Sequence, residues 1–260
     1  MPANAATAQS DHKMPYTDPD DEQSFYERGS VWYDRGEYDK AIKNFDEAIR
    51  RGPQSLVLCH WTLLPGGLPW VDLRPDPKYV AAFNERGLAW QAKRDYGKAI
   101  ADFNEAIRLG RKWAVPLANR GRVWLAKRDY DRAMEDLNEA IRIDPTLMTA
   151  FHNRGFIWVA KGEYDKAIKD FDEAIRLDPR CERVRVARGG VWCAKGEYDK
   201  ALGDFNEAIR LDPKDATALF NRGNLWLAKG KSDKAAADFD EAIRLDPKYR
   251  KKVEALGISR

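Results

Sequence analysis

The chain has 260 residues, and its 45 basic side chains are nearly balanced by 42 acidic ones, for a net charge of +3. That balance excludes a general electrostatic attraction to nucleic acid or to an anionic membrane. No apolar run approaches the roughly 20 residues that span a bilayer, and Met1–Tyr16 lacks the apolar core of a signal peptide. The chain is therefore read as cytoplasmic.

Residues 1–21 are polar, contain proline and turn acidic toward Asp18, Asp20 and Asp21, which predicts a disordered tail. From there a ruler runs through the chain. Glycines stand at Gly87, Gly121, Gly155, Gly189 and Gly223, each 34 residues after the last. Trp90, Trp124, Trp158, Trp192 and Trp226 keep the same interval, as do Ala99, Ala133, Ala167, Ala201 and Ala235. Gly29, Trp32 and Ala41 belong to an earlier copy, displaced by 24 further residues. The period divides the chain into repeat one at 22–53 and repeats two to six at 80–249, that is 80–113, 114–147, 148–181, 182–215 and 216–249. A capping helix is expected over 250–260.

Each copy predicts two helices. In the fourth, Phe151, Ile157 and Trp158 recur at helical spacing over about Met148 to Lys161. Gly162 supplies the turn. Ala167, Ile168, Phe171, Ala174 and Ile175 form the apolar stripe of a second helix, about Tyr164 to Leu177, which ends at Asp178-Pro179. One copy cannot bury its apolar face alone, so neighbours must stack.

The residues 54–79 form an apolar inter-repeat insertion, with the 24 extra residues lying at about Arg51 to Arg74. It is rich in Leu, Val and Trp, and Pro65, Gly66, Gly67 and Pro69 argue against a continuous helix. Burial of Trp61, Trp70, Leu64 and Leu68 against repeats one and two is expected, as a lid over the adjoining groove, with self-association through the same residues as the alternative. No β-sheet is expected anywhere.

Chemistry-bearing residues are sparse. His12, His60 and His152 fit no metal-ligand spacing, and no phosphate loop or serine nucleophile motif is present, so no catalytic, metal or cofactor site is expected. Cys181 and Cys193 should lie about 18 Å apart along one helix, too far for a disulfide. The tryptophan ladder is read as buried core rather than as a base-stacking platform. The charged second helices, such as Asp165-Lys166 and Asp172-Glu173, are read as a solvated face. A polar ladder stands out: Arg28, Arg86, Arg120, Arg154, Arg188 and Arg222 each precede the periodic glycine. An unpaired buried guanidinium is costly, so each is expected to pair with Asp102, Asp136, Asp170, Asp204 or Asp238, or with Asn44 in repeat one.

On these residues the chain resembles the tetratricopeptide repeat family, whose pattern is carried here by Phe151, Gly155, Trp158, Ala167, Phe171, Ala174 and Pro179 and by their counterparts in the other repeats. Arg111 stands where proline is expected, Arg94 and Arg128 replace the turn glycine, and Arg185 holds a bulky apolar place. The resemblance implies an all-α, right-handed superhelical solenoid of stacked helix-turn-helix repeats, with the first helices lining a concave groove. It also implies a protein-interaction scaffold that binds a peptide or helix of an unidentified protein partner. The groove-facing places are Asn84, Leu88, Arg122, Leu125, His152, Phe156, Val159, Val186, Gly190, Cys193, Phe220, Asn224 and Leu227. Some members hold an acidic peptide C-terminus with cations on successive first helices. The matching places here are Tyr26, Ser30, Asn84, Leu88, Ala118, Arg122, His152 and Phe156, of which only Arg122 supplies a cation, so that clamp is not expected. A helical-repeat RNA-binding protein and an accessory subunit of an enzyme complex are the alternative functions. The 34-residue period and balanced charge weigh against nucleic acid.

Overall fold

The structure, a computed structural model, describes residues 22–52, 56–63, 69–75, 77–110 and 112–257. The tail at 1–21 and Leu64 and Leu68 lie outside them, as do the side chains of the insertion, Trp61 and Trp70 included. The chain divides into two compact units, one ending at Gly110 and the other starting at Arg111.

The first unit holds α1 (Glu22–Asp34), α2 (Tyr38–Arg51), α3 (Pro77–Ala92) and α4 (Tyr96–Leu109). Between α2 and α3 the chain forms a hairpin of β1 (Leu56–Leu63) and β2 (Pro69–Pro75), paired antiparallel from Leu56 opposite Pro75 to Leu63 opposite Pro69. This corrects the expectation that no sheet appears. The two apolar runs on either side of Pro65, Gly66 and Gly67 have strand length and no helical period, and their backbones pair with each other.

The second unit holds α5 (Ala114–Ala126), α6 (Tyr130–Ile143), α7 (Met148–Ala160), α8 (Tyr164–Leu177), α9 (Glu182–Ala194), α10 (Tyr198–Leu211), α11 (Ala216–Ala228), α12 (Ser232–Leu245) and the short α13 (Tyr249–Glu254). Successive helices pack as antiparallel hairpins, and each hairpin packs on the next within the unit. The all-α solenoid of helix-turn-helix repeats is thus formed, with the hairpin as its one departure among the described residues. The capping helix is shorter than expected and starts at Tyr249. Tyr249 and Val253 bury against Phe239 and Leu219, and the Tyr249 hydroxyl lies 2.8 Å from that of Thr217.

Glycine sets how closely the paired helices approach. A Cβ on Gly155 would sit 2.5 Å from the ring of Phe171, and Gly29, Gly87, Gly189 and Gly223 meet Phe45, Phe103, Phe205 and Phe239 in the same way. Those five rings are at most 1% exposed and have nowhere to move. Gly155→Ala is therefore expected to cost about 1–3 kcal/mol despite alanine's better helix propensity. A urea midpoint equal to or above that of the parent would show that the approach has slack.

The turn inside each hairpin demands a left-handed residue. Gly162 has φ 75°, and the amide of Glu163 behind it donates to Trp158 O at 2.9 Å. Arg94 and Arg128 adopt the same conformation, at φ 62° and 61°, in the same hydrogen-bonded turn. The residue after each is Asp rather than Glu, and Asp95 and Asp129 cap the following helix by accepting from Lys98 N and Arg132 N at 3.2 Å. The corresponding Glu37, Glu163 and Glu197 make no such cap. A better cap thus offsets a strained turn. Arg94→Gly and Arg128→Gly, which keep the cap, are each expected to stabilise by about 0.5–1 kcal/mol, read as a rise in melting temperature.

Candidate functional site

The side chains that lock one repeat to the next determine what surface is left for a ligand. Arg86, Arg120, Arg154, Arg188 and Arg222 each grip the expected aspartate with two hydrogen bonds. In the fourth repeat Nε of Arg154 donates to Asp170 Oδ2 at 2.8 Å and Nη2 to Oδ1 at 2.7 Å. The others reach Asp102, Asp136, Asp204 and Asp238 in the same geometry. Arg28 reaches Asn44 at 3.4 Å. A third arm was not anticipated. Nη1 of Arg86, Arg154, Arg188 and Arg222 donates to Asp46, Asn138, Asp172 and Asn206, one repeat back. Each of these guanidinium groups therefore ties three helices. Hydrogen bonding to Asp204 holds the Arg188 guanidinium even more firmly protonated.

A second ladder also joins neighbours: Lys93 to Asp39, Lys161 to Asp131, Lys195 to Asp165 and Lys229 to Asp199. The second-helix charges are thus more than a solvated face. Asp165 and Asp172 hold the next repeat, Lys166 lies 4.7 Å from the Trp158 ring centre, and Glu173 pairs with Arg176. The tryptophans pack at the margin of the core rather than standing open as a platform. They are half-buried, and the fully buried aromatic is the phenylalanine of the second helix. Trp90, Trp124, Trp158, Trp192 and Trp226 are covered by Lys98, Arg132, Lys166, Lys200 and Lys234 at 4.1–4.9 Å, a cation over each indole face.

The first-helix residues read as groove-facing are distributed between the units. In the first, Asn84 is only 1% exposed, with its amide donating to Glu85 at 3.1 Å, so it adds no surface. Leu88 is half-buried. In the second, Arg122, Phe156 and Gly190 are exposed. Leu125, His152, Val159, Val186, Cys193, Phe220, Asn224 and Leu227 are half-buried. Phe220 is occupied by Tyr249 and Phe239, with ring centres 4.9 and 5.6 Å away. Leu227 packs into the last repeat's core, and Cys193 against Phe205 and Leu225. Burial raises the Cys193 thiol pKa. Cys181 and Cys193 are both free thiols.

A cleft of about 860 Å³ runs along α9 on this face. Phe156 from α7 forms one wall, Thr217 and Asn221 of α11 the other, and Val186, Ala187 and Gly190 the floor. Glu182, Arg183, Asp212, Lys214, Asp215 and Asp246 contribute charge to it. Beside it His152 is wedged edge-on against Phe156, ring centres 4.9 Å apart, with Nε2 buried and without a hydrogen-bond partner. Burial, aided by the nearby Arg183 and Arg122, pulls its pKa down to about 4, so the ring is neutral at neutral pH. The sequence reading missed Arg183, Lys214 and the acidic groups of the cleft. They sit at helix starts and inter-repeat turns, where the periodic pattern carries no groove signal. Arg185, in a bulky apolar place, leaves α9 intact. Its Nη2 reaches Pro179 O at 3.0 Å, while its Nε is buried without a partner.

Among the described residues, no group of three or more His, Cys, Asp or Glu is placed to hold a metal ion, and no helix is long and apolar enough to cross a membrane. A tetratricopeptide repeat family model matches residues 3–55, 159–216 and 194–250, and a second model of the same name matches 114–147. Hsp70-Hsp90 organizing protein 3 of Arabidopsis thaliana is 24% identical over 106 residues, which cover 37% of this chain and 19% of that protein. The chain thus spans about a fifth of that relative's length. A chain of the APC/C hetero-tetramer Cut9-Hcn1 superposes with a TM-score of 0.77 at 15% identity, covering 93% of this chain and 43% of its own. YrrB, described as a TPR protein with an unusual peptide-binding site, gives 0.53 at 22% identity, covering 69% of this chain and 92% of its own. At such identities the likeness shows the fold alone. The family models match more than half of the residues, and the chain belongs to the tetratricopeptide repeat family.

Proposed function

We propose that the chain is a non-enzymatic scaffold in which the first-helix face of the second unit holds a peptide or helix of a protein partner. The observation that carries this reading is the cleft over α9, with Phe156 exposed at its wall. Such a volume accommodates several side chains of a bound segment, and first-helix grooves suit amphipathic or extended segments. The organizing role named for the Arabidopsis relative and the peptide-binding site named for YrrB point the same way. The free thiols of Cys181 and Cys193 fit a reducing, cytoplasmic setting.

The test is a photo-reactive phenylalanine analogue placed at position 156, with a control at Lys169 on a second helix, followed by irradiation in cells. Protein adducts specific to position 156 are expected. Equal adducts at both positions would remove the assignment of the face, and predominantly RNA adducts would favour the nucleic-acid alternative.

A further inference from the structure

Two adjacent glycines in α9 have opposite standing. Gly189 is demanded by packing, since a Cβ there would lie 2.7 Å from the Phe205 ring. Gly190 is not, because a Cβ there meets nothing within 4 Å. Its backbone is helical and lies well inside α9. A glycine in a helix interior costs about 1 kcal/mol relative to alanine, and no contact within the fold accounts for it. The same place in the neighbouring repeats of the unit is held by Arg122, Phe156 and Asn224, each of which carries a side chain there. At Gly190 the backbone of α9 lies open to the cleft.

The surroundings of that bare stretch define what it could receive. Phe156 stands beside it at 39% exposure, unusual for a large apolar side chain in this protein. Val186 and Ala187 lie one turn away on the same floor, and Thr217 and Asn221 close the far side. The charged groups lining it are the carboxylates of Glu182, Asp212, Asp215 and Asp246 and the cations of Arg183 and Lys214; Glu182 pairs with Arg183, and Asp246 with Lys248.

We propose that the space over Gly190 is an anchor subsite that takes one bulky apolar side chain from a partner segment with basic flanks. The inference rests on the partner-binding reading above and specifies its chemistry. A tryptophan, phenylalanine or leucine seated on the α9 backbone meets the ring of Phe156 at its side and the methyls of Val186 below. Buried anchors of this kind dominate interface energetics. Any side chain longer than alanine at position 190 occupies the same space. Asp212 and Asp215, which accept from backbone amides, favour lysine or arginine beside the anchor through complementary charge.

The probe is a displayed library of random twelve-residue peptides, selected on the full chain and tested on Gly190→Ala and Gly190→Leu. Peptides with one bulky apolar residue at a fixed place and more basic than acidic neighbours are expected from the parent. They should bind Gly190→Leu at least tenfold more weakly. Both variants should melt at or above the parent temperature, which shows that they fold and that the fold does not need this glycine. If Gly190→Ala melts lower, the glycine is structural and the proposal fails. Peptides that bind Gly190→Leu as well as the parent overturn the anchor and leave the face intact. If no peptide is enriched on the parent, both the anchor and the reading beneath it fail.

Discussion

Arg154→Leu is expected to destabilise the second unit by about 3 kcal/mol, and adding Asp170→Leu is expected to restore most of that loss. The single change keeps a long side chain and good helix propensity at this place, so it looks conservative for the fold. It is not, because Asp170 is only 5% exposed and Arg154 supplies both hydrogen bonds to its carboxylate. Removing one partner of a buried pair strands the other, at about 3–5 kcal/mol, whereas replacing both with apolar groups is often neutral. The Asn138 amide oxygen loses its donor as well. Arg176→Ala is the contrast. Its partner Glu173 lies on the surface one turn away, and the midpoint should not move. Urea midpoints of the four proteins decide the matter. A double variant no more stable than Arg154→Leu would mean that the arginine acts through something other than its aspartate.

Acidification is expected to weaken the fold through His152. Its pKa is about 4 in the folded protein, below the ordinary 6.5, so folding favours the neutral ring. The sign follows from proton uptake: between pH 6.5 and 4 the unfolded chain binds the proton and the folded one does not. The stabilisation is complete above pH 6.5 and is lost as the pH falls to 4, reaching about 2–3 kcal/mol near pH 4.5. Arg122 and Arg183 add to the cost of an imidazolium there. His152→Leu should remove this component while leaving the carboxylate titrations shared by both proteins. The measurement is the difference in urea stability between pH 7 and pH 4.5 for each. Identical differences would show that His152 escapes its pocket on protonation.

Much of this arrangement can be read from the sequence because the chain repeats itself. Six copies of an arginine sixteen residues before an aspartate or asparagine give a distance within one hairpin, and a costly buried charge makes the pairing a chemical necessity. Helix limits in the fourth repeat are equally legible, since Gly162 and Pro179 mark the ends. The third arm of each arginine and the lysine bridges were not legible. They depend on how far one hairpin is rotated over the next, which no residue type announces. The tryptophans were legible as packing residues, but their covering was not. A large apolar residue at a core interval reads as buried, yet its outer face is finished by a lysine or arginine from the following helix. The insertion has no second copy to compare with, and its Pro-Gly-Gly centre reads equally well as a loop or as a hairpin turn. Gly190 was placed in the groove row by its offset, but the empty space above it emerged only once Phe156 and Val186 stood around it.

The arginine joint makes this array editable. Every joint in the second unit offers an aspartate or asparagine from one hairpin to the guanidinium of the next, in the same geometry. Excise residues 148–181 and Arg188 arrives opposite Asn138, which Arg154 now uses, while Lys195 arrives opposite Asp131, which Lys161 now uses. A chain shortened or lengthened by one such hairpin therefore meets no mismatched seam, and what changes with length is the extent of the first-helix face.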